Sequence, residues 1–193
     1  MFTDAPPRKR NLRAFVESDT RILIPLPPDA RLVTIADSIN SAMHEGTAGD
    51  VQRTCADFLR TASGFYSVPE CSVRVLAARP LRVREYSTTE LFGDYHPDTL
   101  VIRVWQRTAI RKEITSFGTF LSTLCHEFCH HLDILRLGFP FSFHTRGFYH
   151  RTAVLYHYCR GTLLKPLVWR ALPNNRWQID WGKMRPVRIR WTD

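Results

Sequence analysis

The sequence lacks the features that place a protein in a membrane or in an oxidising compartment. Its 193 residues contain no run of about eighteen apolar residues, the length that a membrane-spanning helix needs. The first twenty residues lack the apolar stretch of a secretory signal peptide. The five cysteines are odd in number and widely spaced, which is typical of reduced thiols. We therefore expect a cytoplasmic protein without membrane contact.

Acidic residues are also scarce relative to basic ones. The chain has 27 lysines and arginines, nearly all of them arginine, against 18 acidic residues, which gives a net charge of +9. The basic residues are spread along the chain and cluster only at 8–13 and 184–190. This spread favours a solvated basic surface that makes at most weak contact with nucleic acid.

Helical and strand-like segments alternate along the chain. Residues 1–20 read as a flexible basic N-terminal segment, and residues 21–193 as a single domain with a tryptophan-rich extension over 162–193. Apolar residues at intervals of three and four predict helices over 31–43 and 49–62. Alternating Val, Ile and Leu predict strands in 72–86 and 99–105, with His96-Pro97-Asp98 as a hairpin turn. The sequence therefore predicts an α+β fold.

A long helix is predicted over 115–137, because Phe117, Phe120, Leu121, Leu124, Phe128, Leu132 and Leu135 recur at helical spacing. Gly138 marks its end, and a phenylalanine-rich loop leads to His144 and a further helix.

This helix carries His126, Glu127 and His130 in the pattern H-E-x-x-H. Two histidines one turn apart face the same side and can bind one metal ion from a rigid support. Glu127 lies about 100° round the helix from His126, where it can reach a water on the metal without acting as a ligand. The pattern predicts a catalytic Zn²⁺ site with Glu127 as general base.

A zinc hydrolase needs a third protein ligand, and the sequence restricts the choice. No glutamate follows Glu127, and Arg136 stands where the extended metzincin pattern has its third histidine. The remaining candidates are Asp133, His144, His150 and His157. His144 is favoured because it follows a loop long enough to turn the chain back and opens a new helix. Asp133 is expected to support a ligand imidazole.

The segment H-E-F-C-H, followed fourteen residues later by H-T-R-G-F-Y, resembles the SprT-like zinc metallopeptidases and the related minigluzincins. The resemblance covers about residues 85–160. It implies that His126, His130 and His144 bind zinc, that Glu127 is the base, and that Phe148 packs behind the third ligand. It also implies a zincin-like domain, in which a small mixed sheet with an edge hairpin packs on the active-site helix. The chain has no C-x-x-C pairs for the zinc ribbon of many SprT-like proteins, and the resemblance extends neither to its first fifty residues nor to its tail.

The function expected from these observations is that of a zinc metallopeptidase, which hydrolyses peptide bonds through a zinc-bound water activated by Glu127. Its partner is then a peptide or protein substrate. Two alternatives are a basic nucleic-acid-associated module with a structural zinc, and an interaction domain with an inactive zinc site. Four residues near the third ligand are candidates to stabilise an oxyanion: Tyr149, His150, Arg151 and Tyr156.

Overall fold

The protein is described by a computed structural model over residues 1–84 and 87–186, and it has the expected α+β architecture. The described part of the chain contains five α-helices, which are α1 (Leu12–Thr20), α2 (Arg31–Glu45), α3 (Ala48–Tyr66), α4 (Phe117–Leu135) and α5 (Arg146–Cys159). Its strands are β1 (Ser72–Ala78), β2 (Leu81–Arg84), β3 (Ser87–Glu90), β4 (Gly93–His96), β5 (Val101–Arg107), β6 (Trp169–Leu172) and β7 (Arg176–Ile179). The chain divides into a central unit, Asp29–His131, and a terminal unit made of Met1–Pro28 and Leu132–Asp193.

A three-stranded mixed sheet with the order β1-β5-β4 organises the central unit. Strand β5 pairs in parallel with β1 and antiparallel with β4, which leaves β4 at the edge. The β4–β5 hairpin confirms the turn predicted around Pro97. Strands β2 and β3 form a separate antiparallel ribbon.

The core of the central unit forms because the apolar stripes of its helices pack against each other and against this sheet. Its fully buried residues include Leu32, Ile39, Phe58, Leu59, Ile102, Val104, Phe120 and Leu124. The Gln52 side chain on α3 also donates to the Val73 carbonyl at 2.7 Å and accepts from the Val75 N–H at 2.8 Å. This pair of hydrogen bonds fixes the register between α3 and β1.

The predicted helices of the central unit are confirmed, with ends that differ by at most four residues. The strand-like stretch 72–86 differs from the expectation, because it breaks into β1 and β2 at Pro80. Proline has no N–H to continue the pairing of β1 with β5. Residues 85–86 of that stretch lie outside the described residues.

The terminal unit combines α1 and α5 with the antiparallel β6–β7 hairpin. The segment 1–20 was expected to be flexible, but its second half forms helix α1, whose Phe15 is buried. The first residues run along β7, where Phe2 bridges to Gln178. These contacts give the N-terminal segment a packed position that its polar composition does not indicate. The last part of the predicted tail, 187–193, lies outside the described residues.

None of the helices in the described part of the chain combines the length and the hydropathy that a membrane span requires.

Candidate metal centre

Helix α4 presents the two histidines of the H-E-x-x-H pattern side by side. The helix begins where the Ser116 hydroxyl accepts the Thr119 N–H at 3.3 Å, and it ends before Gly138, whose φ of +76° suits glycine. Its apolar stripe is buried, so the helix cannot rotate about its axis. The rings of His126 and His130 are half-buried, with centroids 4.9 Å apart. The helix therefore fixes both imidazoles on one face.

His144 lies immediately before Thr145, the N-cap residue of α5, where capping fixes the backbone. The Thr145 side chain accepts the Phe148 N–H at 3.0 Å, as an N-cap residue does. One ring nitrogen from each of His126, His130 and His144 lies within 4.8 Å of the other two. The structure thus brings together the three histidines predicted as ligands.

The three imidazoles fit a zinc ion. Zn–N bonds of about 2.0–2.1 Å at tetrahedral angles put ligand nitrogens about 3.3 Å apart. The observed spacing is close enough for small ring rotations to reach that value. All three donors are nitrogen, which suits zinc and other late transition metals and does not suit calcium or magnesium.

The other candidates for third ligand have different partners. His150 accepts the indole N–H of Trp169 at 3.2 Å, and His157 Nδ1 lies 2.9 Å from the Thr162 hydroxyl. Asp133 is also engaged elsewhere, and the expectation that it supports a ligand imidazole is wrong. It is fully buried and pairs with Arg151, at 3.1 Å to Nε and 2.8 Å to the terminal guanidinium nitrogen.

The Asp133–Arg151 pair holds the terminal unit together. Arg151 is completely buried and also donates to the carbonyls of Ser18 and Arg21, at the C-terminal end of α1. Helix C-termini leave carbonyl groups without intrahelical donors. The guanidinium satisfies two of these carbonyls, and Asp133 neutralises its charge.

Glu127 lies beside the histidines but is shielded from solvent. Only 6% of its surface is exposed, and strand β4 approaches it at Gly93. A Cβ atom on Gly93 would stand 3.0 Å from Glu127 Oε1. Burial and, as the smaller cause, the nearby charge of Asp94 together raise the pKa of Glu127 to about 8. A cation held by the three histidines favours the ionised carboxylate and opposes both effects.

Asp94 is held on the far side of β4 by Arg103. The Arg103 guanidinium donates to both oxygens of the Asp94 carboxylate, at 2.8 Å from Nε to Oδ1 and 2.5 Å from the terminal nitrogen to Oδ2. The bidentate pair compensates the Asp94 charge across the edge hairpin.

His131 serves the structure and not the metal. It is completely buried, and its Nε2 lies 2.8 Å from the Pro69 carbonyl, which can only accept a hydrogen bond. Its Nδ1 must therefore accept the O–H of Tyr95, at 2.8 Å. Burial lowers the pKa of His131, consistent with a neutral ring. The Tyr95–His131 bond ties the edge strand to α4.

The residues suggested for an oxyanion hole are mostly committed elsewhere. Tyr149 donates its O–H to the Phe2 carbonyl at 3.0 Å and is buried, and the Arg151 guanidinium is held in its ion pair with Asp133.

Phe148 packs edge-on against His144 with ring centroids 5.2 Å apart. Cys125 and Cys129 are buried in the core, and no disulfide joins the cysteines in the described part of the chain.

One contact of His144 was not foreseen. Asp4 accepts the His144 backbone N–H at 2.9 Å through Oδ2, and the same oxygen lies 3.6 Å from His144 Nδ1. Partial burial raises the pKa of Asp4, but the hydrogen bonds from His144 have the opposite effect. The pKa of Asp4 therefore lies below its ordinary value. No sequence signal connects two residues so far apart.

Comparison with protein families, curated proteins and solved structures gives no significant match to this chain. The resemblance to SprT-like peptidases therefore rests on the residues quoted above.

Proposed function

We propose that this protein is a zinc-dependent metallopeptidase with a zincin-like domain, in which His126, His130 and His144 bind Zn²⁺ and Glu127 is the general base. The observation that carries the proposal is the convergence of three imidazole nitrogens within 4.8 Å. Glu127 is the neighbour of His126 on the same helix. Three protein ligands leave a fourth position open, which distinguishes catalytic zinc sites from closed structural ones.

The metal ion and the side chain of Glu127 have different tasks in the proposed reaction. When bound, zinc acts as a Lewis acid and lowers the pKa of a water ligand to about 7. Glu127 takes up a proton from the attacking water and delivers it to the leaving amine. The burial of Glu127 suits this role, because it raises the affinity of the carboxylate for a proton.

The position of strand β4 is an argument that the substrate is a peptide. It is the edge strand of the mixed sheet, and it lies against α4 at Gly93 and Tyr95. An edge strand can pair with an extended peptide through its backbone groups. A peptide aligned along β4 lies close to Glu127, which is the position that hydrolysis requires.

The test is zinc-dependent cleavage of a mixture of unstructured peptides, read by mass spectrometry. We expect new termini in the presence of the protein, their loss when a chelator removes the metal, and their return when zinc is added. The same samples should be monitored for self-cleavage at high protein concentration. A protein that contains one zinc per chain and yet cleaves neither the peptides nor itself contradicts the proposal.

The charge distribution favours a second candidate, a nucleic-acid-binding module. The terminal unit holds sixteen of the 27 basic residues and six of the 18 acidic ones, a net charge of +10, while the central unit has a net charge of −1. Each acidic residue described in the terminal unit is itself paired with a basic side chain, in the pairs Asp4–His144, Glu17–Arg13, Asp19–Arg146, Asp133–Arg151 and Asp180–Lys183.

The outer face of the β6–β7 hairpin is the part of this unit best suited to single strands. Phe2 is half-exposed and bridges to Gln178, and the Arg176 guanidinium lies 5.8 Å from its ring centroid. Arg170 bonds to Gln178 on the same face. An aromatic ring among arginines can stack on a base while the cations contact phosphates.

Anisotropy of a labelled single-stranded oligonucleotide tests this candidate. If the basic surface is only solvated, binding at physiological salt should be no tighter than about 10⁻⁵ M and should weaken steeply with salt. Tighter binding that is lost in Phe2→Ala and Arg170→Gln, but kept in the control Arg60→Gln of the central unit, supports the second candidate.

A further inference from the structure

The carboxylate of Asp4 is held beside the ring of His144 by two reciprocal hydrogen bonds. Asp4 N–H donates to the His144 carbonyl at 2.9 Å, and the His144 N–H donates to Asp4 Oδ2 at 2.9 Å. These bonds fix the side chain of Asp4 against His144, which precedes the N-cap residue Thr145 of α5. The hydrogen bonds therefore hold the Asp4 carboxylate beside His144.

The segment that carries Asp4 is anchored on β7. The Thr3 N–H donates to the Trp177 carbonyl at 2.9 Å, and the Thr3 hydroxyl accepts the Trp177 N–H at 2.8 Å. The Arg176 Nε–H donates to the Thr3 carbonyl at 2.9 Å. Thr3 is only 2% exposed. Asp4 thus follows a buried residue whose backbone is paired with β7.

The ring of His144 is also held on its faces. It stacks on Tyr149 with centroids 5.7 Å apart and meets Phe148 edge-on. Within that frame its Nδ1 lies 3.6 Å from Asp4 Oδ2, so this nitrogen faces the carboxylate. The two nitrogens of an imidazole lie on different edges of the ring, so a carboxylate beside Nδ1 leaves Nε2 available to a metal ion.

We propose that Asp4 is the positioning residue of the third zinc ligand, accepting the Nδ1–H of His144 so that Nε2 coordinates the metal. This inference rests on the proposed zinc site. A carboxylate on the far nitrogen fixes the tautomer, limits ring rotation and increases the basicity of the ligating nitrogen. The N-terminal segment then contributes directly to metal affinity, although Asp4 precedes His126 by more than 120 residues in the sequence.

The experiment measures the zinc dissociation constant by competition with a chromophoric chelator for the full-length chain. Asp4→Asn keeps the shape and the acceptor for the His144 N–H but removes the charge, and Asp4→Ala removes both. We expect zinc affinity to fall about 10–100-fold, the usual effect of losing such a partner. The visible spectrum of the Co²⁺-substituted protein should change with it, because the geometry of the third ligand changes.

Two controls separate positioning from general loosening of the N-terminus. Thr3→Ala removes the hydrogen bond to Trp177 but leaves Asp4, and it should change zinc affinity by less than about threefold. In a His144→Ala background Asp4→Asn should have no further effect, since the partner through which it acts is gone.

The outcomes distinguish this inference from the proposed function. Wild type that binds no zinc contradicts the metal site and the inference together. Wild type that binds zinc tightly while Asp4→Asn and Asp4→Ala bind it equally well overturns the role of Asp4 alone. An equal loss in Thr3→Ala and Asp4→Asn also overturns it, because the effect is then structural.

Discussion

At the scale of single residues, α4 carries two buried carboxylates with opposite surroundings. Asp133 faces a guanidinium and the Ser142 hydroxyl, so its charge is compensated inside the protein. Glu127 has the Asp94 carboxylate nearby, and in the proposed site the metal ion supplies its compensating charge. On this proposal, one buried carboxylate of α4 serves stability and the other serves catalysis.

The Asp133–Arg151 pair leads to a stability prediction. Asp133→Asn keeps the side-chain shape but leaves Arg151 buried with its charge unpaired, which typically costs about 3–5 kcal/mol. Chemical denaturation of the metal-free protein should show this loss. The control is Asp57→Asn, in the exposed pair with Arg60 at 2.7 Å, where we expect less than about 1 kcal/mol. Similar small losses in both variants contradict the role assigned to the buried pair.

His157 gives a prediction for pH. Burial and, as the smaller cause, the charge of Lys165 together lower the pKa of His157 to about 4, whereas an unfolded histidine titrates near 6.5. Between these values the unfolded chain takes up a proton that the folded chain does not. The free energy of unfolding therefore decreases as pH falls from about 6.5 to 4.

His157→Gln tests this in metal-free protein. The dependence of the unfolding free energy on pH should become shallower in this window, by of order 1–3 kcal/mol in total. Exposed His44→Gln serves as the control and should keep the wild-type slope. An unchanged slope in His157→Gln contradicts the assignment.

The sequence predicts individual residues unevenly. His126, Glu127 and His130 are readable because their spacing is local and matches the helical period. His144 could be chosen among four candidates because it opens a helix. Asp4 and Arg151 could not be foreseen, because their roles depend on contacts between residues more than 120 apart in the sequence.

At the scale of elements, the close approach of β4 to α4 depends on Gly93. A Cβ at this position would lie 2.6 Å from Thr123 Cγ2 and 3.0 Å from Glu127 Cγ. Since both neighbours belong to the helix, an added methyl has to push the strand or the Glu127 side chain aside. A glycine inside a strand-like segment often marks a close approach of the backbone, so Gly93 is a sequence signal for this contact between β4 and α4.

Gly93→Ala should therefore destabilise the protein by about 1–3 kcal/mol and reduce catalysis by displacing Glu127. The control is Gly64→Ala in α3, where a Cβ meets no atom within 4 Å. There we expect a gain of about 0.5–1 kcal/mol, because alanine favours helix. Denaturation curves for the two variants should move in opposite directions. A stabilised Gly93→Ala contradicts the tight contact.

The elements themselves were predictable where the hydrophobic period is strong. Helices α2, α3, α4 and α5 and the β4–β5 hairpin follow from local spacing and turn residues. Local spacing and turn residues do not predict the parallel pairing of β1 with β5, nor do they predict helix α1. Both depend on partners that are distant in the sequence, such as the burial of Phe15 in the terminal unit.

At the scale of the whole molecule, charge and chemistry are distributed unequally along the chain. The central unit carries Glu127, the proposed general base, and the edge strand β4, and it is close to neutral. The terminal unit supplies Asp4, the buried Arg151 and all of the excess positive charge. A basic surface on such a unit favours acidic partners, and the oligonucleotide titration separates specific binding from general attraction.

The metallopeptidase proposal depends on Glu127 acting as a base and not as a ligand or a structural residue. The most direct measurement compares Glu127→Gln with wild type at equal zinc content, on a peptide that the wild type cleaves. Glutamine keeps the size of the side chain but cannot accept the proton. We expect Glu127→Gln to bind one zinc per chain with unchanged affinity while the rate of hydrolysis falls about 10²–10⁴-fold. A Glu127→Gln protein that cleaves the peptide as fast as wild type contradicts the account.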